Sequence, residues 1–386
     1  MNDEKQKSGS RVQFIDIARI YGVALVYYGH FIESCMKEGS AIAAMHYKFI
    51  YSFHMPLFFI LSGYIARDFS SRQDFATFSR KQVLSRLLPY AFLTFLLIIP
   101  TFWVSGFSAG LELPSVQGYT KGLAATFLSG FPFFNIPTWF LICLFMVETI
   151  HYGTARYLSS SSRIIGIAFV YYLLGTILAW HAGALNPMNL IAADGKIYPY
   201  FMILEAFTAY ALYLVGVYLS RKKFLLESIP MLKGIFALLL CLTVVYLTFD
   251  LNKGMFILPS YDAVVMVGSS HGNPILFLIT AIIGSMMIML LARLSSGQRF
   301  LAYLGANTLV VFGLNGVFYH FINDRLAQFL LNRFAESTSM ILLSGVSVTL
   351  VSMLLTVPFV YLFNALIPQL IGKPRLSGPL IPQLLR

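Results

Sequence analysis

The sequence predicts an all-α fold: a polytopic membrane helical bundle of about ten transmembrane helices, with the N- and C-termini cytoplasmic. Three observations predict it. Of 386 residues, 58% are hydrophobic and only 11% are charged, against about 25% charged in a soluble domain. Ten apolar stretches have close to the roughly 20 residues that cross a hydrocarbon core of about 30 Å. The basic residues gather in short clusters at alternating ends of those stretches, as the positive-inside rule requires.

The stretches run over 13–31, 47–66, 87–104, 137–152, 164–180, 200–219, 231–249, 274–292, 300–321 and 340–364. The first holds Asp16 and Arg19 and has no small-residue cleavage site behind it, so it reads as a retained helix and not a signal peptide. In the second, Pro56 removes a backbone donor two residues after His54 and loosens the helix there. Ser62-Gly63 near its end permits close approach of another helix. The apolar segment 122–134 is short and is followed by Pro137, which suggests an interfacial or re-entrant piece. With the N-terminus inside, nineteen of the 27 Lys and Arg residues fall on inner segments and seven on outer ones, Arg19 lying within a span. Residues 1–12 and 367–386 are read as cytoplasmic tails of a single transmembrane domain, 13–366. The outer loops 105–136, 181–199 and 250–273 are too short to fold alone.

Several function classes recede on composition. The net charge of +11 is split into clusters between apolar runs and forms no continuous patch, so nucleic acid is not expected as a partner. Cys35, Cys143 and Cys241 are far apart, with neither a CxxC pair nor the spacing of a metal site. No internal repeat is visible, whereas an inverted repeat would favour a transporter.

The chemistry concentrates near the N-terminus. Ionisable side chains inside a span cost a few kcal/mol, about 3 for an Arg or Asp at mid-helix, and are retained for a partner or a task. Arg19 and His30 are eleven residues apart, about 16 Å of helical rise, and eleven steps of ~100° return to within roughly 20° of the starting direction. Both side chains therefore share a face, and are expected to open into one polar chamber. Asp16, at i−3 from Arg19, can pair with it. His54 lies in the outer third of the returning second helix, level with His30. A histidine there can take a proton from a hydroxyl and return it.

These residues carry a resemblance. Asp16 and Arg19 with His30 eleven positions on, then Phe53-His54-Met55-Pro56-Leu57-Phe58-Phe59-Ile60-Leu61-Ser62-Gly63-Tyr64, Arg86-Leu87-Leu88-Pro89-Tyr90 and Pro137-Thr138-Trp139-Phe140-Leu141-Ile142-Cys143-Leu144-Phe145 together resemble the acyltransferase 3 family of multispanning membrane acyltransferases. The resemblance spans about residues 11 to 366. It implies transfer of an acyl group, usually acetyl from acetyl-CoA, to a hydroxyl of a glycan or small molecule. It also implies that Arg19 and His30 are the family's essential pair and His54 its second-helix histidine. Near the ninth span the family often has Asn-Ser/Thr-Leu followed by a His; here Asn307-Thr308-Leu309 is followed by Asn315, with His320 later.

The resulting expectation is an O-acetyltransferase of the bacterial cytoplasmic membrane, acting on a cell-surface or exported glycan or glycolipid, with no metal. The alternatives are a proton-coupled transporter or exporter, and acylation of a cytoplasmic small molecule. Catalysis is expected from His30, His54, Arg19 and Asp16. Acyl-CoA phosphates are expected on Arg19 and on the first inner-loop cluster Arg67, Arg72, Arg80, Lys81 and Arg86. Acceptor contacts are expected from Trp139, Glu205, Asp262 and Asn315. Whether the chain forms a homo-oligomer is left open by the sequence.

Overall fold

The computed structural model describes residues 13–66, 74–104, 113, 115–227, 229–253, 256–258, 261–267 and 271–385, except 182–200. Residues 181, 256–258 and 261–263 are described by their backbone alone.

Helix α1 (Gln13–Lys37) is the centre of the bundle. It packs against α2 (Ala41–Tyr51), α3 (His54–Tyr64), α11 (Pro274–Leu294), α12 (Arg299–Ala306), α13 (Thr308–Phe321), α14 (Asn323–Arg333) and α15 (Thr338–Leu366). Most of its side chains are buried, Asp16 and Glu33 among them. Its polar residues thus face protein and not lipid, which is how a span tolerates them. The remaining helices are α4 (Phe75–Gln82), α5 (Leu88–Thr101), α6 (Val116–Ala124), α7 (Trp139–Thr154), α8 (Ser161–His181), α9 (Ile203–Arg221) and α10 (Met231–Thr248). A short antiparallel hairpin, β1 (Phe256–Leu258) and β2 (Tyr261–Ala263), pairs Phe256 with Ala263 between α10 and α11.

Each of the ten sequence-read stretches coincides with a helix or a broken helix. Among the described residues, seven helical segments are long and apolar enough to cross a membrane, and the bent pair α12–α13 makes an eighth. The first two stretches are not among them, for local reasons. The polar residues of α1 dilute its hydropathy, and the second stretch is cut into α2 and α3. That cut is the work of Pro56, whose ring crowds the carbonyl four residues back, at Ser52. The chain breaks at Ser52-Phe53, and Ser52 Oγ caps backward onto Phe49 O at 2.7 Å. Pro89 has the milder effect of a π-turn over Val83–Leu87, which puts Arg86 on a widened turn.

Close helix crossings depend on glycine. A Cβ on Gly63 would lie 1.8 Å from Tyr213 O, and one on Gly216 2.0 Å from Ile60 O, so α3 and α9 touch backbone to backbone. Gly63→Leu should therefore prevent this packing, with a loss of folded protein in thermal unfolding larger than the ~1–3 kcal/mol of ordinary overpacking. The segment 129–135 is buried inside the bundle, where Asn135 Nδ2 donates to Leu93 O (3.3 Å) and Gly313 O (3.1 Å). Residues 368–385, within the segment read as the cytoplasmic C-terminal tail, fold back on the bundle. Gln369 is fully buried, and its Nε2 donates to Leu376 O (2.8 Å) and Ile381 O (2.6 Å).

Candidate active site

Two polar regions lie along α1, one near Arg19 and one near His30. The first is a cavity of about 500 Å³ at the Arg19 end of the bundle. Arg19, Lys81, Arg86 and Lys373 all line it, with Glu148 the acidic residue on its wall. Arg19 is 23% exposed at its side chain and pairs with buried Asp16 at 3.3 Å. Arg86 is committed to Glu148 through two parallel bonds of 2.9 and 2.8 Å, the bidentate geometry that a guanidinium favours. Lys373 arrives from the segment after the last helix and donates to Asn307 Oδ1 at 2.5 Å and to Asn364 Oδ1. Asn307 is the break between α12 and α13, which meet at 76°. The break leaves the first residues of α13, Thr308 and Leu309, on the cavity wall. A helix start presents unpaired N–H groups and a positive dipole end. Cations and amide donors thus converge on one open pocket, a suitable site for a polyanion.

The second region surrounds His30. Its Nδ1 is hydrogen-bonded to Asn315 Oδ1, and its ring packs on Tyr319 with centroids 4.6 Å apart. The amide oxygen can only accept, so Nδ1 carries the proton and Nε2 keeps its lone pair. Asn315 Nδ2 is buried and has no hydrogen-bond partner among the described residues. One turn on, Glu33 accepts from Tyr319 Oη (3.1 Å) and Tyr51 Oη (3.3 Å) and pairs with Lys37 (3.0 Å). His54, at the first position of α3, donates from Nδ1 to Ile50 O at 3.0 Å across the helix break, which also leaves its Nε2 as an acceptor. The His54 ring meets Tyr51 edge to face at 4.5 Å. His320 Nε2 accepts from Ile136 N at 3.4 Å, and its ring lies 4.9 Å from that of Tyr319. Both His54 and His320 lie within electrostatic reach of His30.

The expected residues divide accordingly. Arg19 and His30 share a face, as their spacing requires, but they do not open into one chamber: His30 and His54 do not line the Arg19 cavity. Of the expected phosphate cluster, Arg67 and Arg72 lie outside the described residues. Arg80 is exposed and donates to Leu384 O at 3.1 Å, away from the cavity, because it points toward the folded-back C-terminal segment. Lys81 and Arg86 do line the cavity, Arg86 with its charge already matched. Asn315 meets His30 directly. Trp139 is 5% exposed and packs behind Phe59 in the apolar core, and neither it nor Glu205 lines the cavity. Glu205 is fully buried in the first turn of α9. Asp262 lies on β2, in register with Ile257. Glu33, Lys37, Tyr51, Tyr319 and Lys373 are additions that the sequence reading missed. Glu33 at i+3 from His30, and Lys37 four further on, were legible as the same helical stripe; Lys373 was not.

A family profile described as an acyltransferase domain matches residues 12–364, nearly the whole chain. The chain belongs to the acyltransferase 3 family. Among curated proteins, the nodulation protein NolL of Mesorhizobium japonicum (strain LMG 29417 / CECT 9101 / MAFF 303099) is 32% identical over 79 residues. That match covers 20% of this chain and 21% of NolL. No solved structure matches. Membership in the acyltransferase 3 family and the apolar helices together support a membrane protein of the acyltransferase class.

Proposed function

We propose that the protein moves an acyl group, acetyl in the simplest case, from cytoplasmic acyl-CoA to a hydroxyl of a cell-surface or exported glycan, with His30 as general base. The observation that carries this reading is the His30–Asn315 pair: an imidazole with Nε2 free to accept, beside an unpartnered amide donor. The excess of basic residues on the segments at the Arg19 end supports placing that end in the cytoplasm of a bacterial inner-membrane protein. There the nucleotide phosphates of acyl-CoA fit against Arg19, Lys81, Lys373 and the start of α13, and the long pantetheine arm runs along α1 toward His30.

In this reading His30 Nε2 takes the proton of the acceptor hydroxyl as its oxygen attacks the thioester carbonyl. The oxygen–carbon bond forms, the carbon–sulfur bond breaks, and the leaving thiolate takes the proton back from the imidazolium as free CoA. Asn315 Nδ2 is a donor suited to the developing oxyanion, which would satisfy its own hydrogen-bonding requirement. Glu33, held by Tyr51, Tyr319 and Lys37, favours the transient imidazolium electrostatically. His54 assists on the acceptor side.

The test uses purified protein in nanodiscs with radiolabelled acetyl-CoA and envelope glycan from a strain lacking the gene. Label is expected on the glycan, as alkali-labile esters. Transport of a glycan or small molecule by proteoliposomes, with no acyl-CoA consumed, overturns the reading in favour of a proton-coupled carrier.

A further inference from the structure

The Arg19 cavity ends on three phenyl rings. Following α1, α3, α7 and α13 from the open mouth toward the histidines, the last lining residues are Val23, Phe58, Phe140 and Phe312. The three rings meet as a closed triangle, with centroids 5.5 Å apart for Phe58–Phe140, 6.1 Å for Phe58–Phe312 and 6.0 Å for Phe140–Phe312. These tilted and edge-to-face arrangements are those that aromatic pairs favour. Gly22 lets the triangle close against α1, since a Cβ there would lie 2.9 Å from Phe58 Cζ. The rings also sit at a defined level. Phe58 is one turn past His54 on α3, and Phe312 is one turn before Asn315 on α13. On α3 and α13, which the two regions share, a ring of the triangle therefore stands between the basic cavity and the histidine region, and on α1 the triangle closes against Gly22.

We infer that Phe58, Phe140 and Phe312 form an aromatic seal that determines whether an acyl thioester is transferred or hydrolysed. Closed, it keeps the water and small solutes of the cavity from the histidines. Because each ring comes from a different helix, small helix displacements part them, and the thioester end of a bound donor passes between. The part that concerns the donor rests on the acyl-CoA reading above; the barrier itself does not.

Thiol labelling tests the barrier without any donor. In a chain with Cys35, Cys143 and Cys241 replaced by serine, a cysteine is placed either at Ser62, a half-buried residue of the cavity wall, or at Val26. Val26 is buried and lies on the Arg19–His30 face of α1, about one turn beyond Val23. A small charged methanethiosulfonate is applied to membrane vesicles from the Arg19 side. Val26→Cys is expected to react about tenfold or more slowly than Ser62→Cys, as for an open state populated at roughly 10% or less. Phe312→Ala or Phe140→Ala should bring the two rates together. Phe312→Leu, which keeps more of the packing, should fall between and guards against loss of fold. Equal rates with all three rings present, or a Val26→Cys rate unmoved by both alanine variants, overturns the seal. In a second arm, Phe312→Ala should raise acetyl-CoA hydrolysis in the absence of acceptor. If labelling behaves as expected and hydrolysis does not rise, the barrier stands and the proposed control of hydrolysis, with its donor assignment, falls.

Discussion

His30→Ala is expected to lower acyl transfer by roughly 10²–10⁴-fold, the contribution of a positioned general base, with the protein still folded in the membrane. The expectation of retained fold has a physical basis. His30 is only partly buried, and its loss leaves Asn315 Oδ1 without its proton donor, a cost of about 1–3 kcal/mol. Asn315 supplies the sharper comparison. Asn315→Leu removes the acceptor that fixes the proton on Nδ1, so the productive tautomer is no longer selected and the rate should fall. Asn315→Asp keeps that acceptor, so it should retain more activity than Asn315→Leu. Transfer rates, read with thermal unfolding, separate these outcomes. Unchanged transfer by His30→Ala removes the base assignment.

What the sequence revealed, and what it hid, follows from where the determinants lie. Arg19, His30 and Glu33 belong to one helix, and a fixed rotation per residue converts their spacing into a shared face. Pro56 and Pro89 act through the carbonyl four residues earlier, so the broken second span and the π-turn are local events that sequence can anticipate in kind, though not in extent. The Gly63 crossing was legible for the same reason. The Arg86–Glu148 clasp joins residues 62 positions apart, and Lys373 reaches Asn307 only because the C-terminal segment folds back. No local pattern encodes either contact. Asn315 could be seen as a polar residue in an apolar helix, but its pairing with His30 across 285 positions required the packing of α13 on α1. The division of the expected chamber into two regions was equally hidden, since which side chains share a cavity depends on how helices distant in sequence pack. Phenylalanines within spans read as ordinary apolar filling until their rings are placed.

The Asp16–Arg19 pair permits a separation of stability from binding that few single substitutions allow. Arg19→Ala should lower both. Asp16 has 4% of its side chain exposed, and taking away one member of a buried ion pair leaves the other costly. The full penalty for such a pair is about 3–5 kcal/mol; with the Arg19 side chain 23% exposed, about 2–3 is expected. Arg19 is also one of the cations on the cavity wall. Losing a charge-assisted hydrogen bond to phosphate, worth about 1.5–3 kcal/mol, should raise the KM for acyl-CoA by roughly 10–100-fold. The double variant Asp16→Asn with Arg19→Gln removes both charges while keeping polar side chains that can hydrogen-bond. It should recover most of the lost thermal stability, because neither member of the pair is left charged without the other, yet leave the donor KM high. Arg19→Lys should lie between, retaining charge without the forked geometry. A double variant with an unaltered donor KM would show that Arg19 serves only to neutralise Asp16. The polyanion would then have to be held by Lys81, Lys373 and the exposed start of α13 alone.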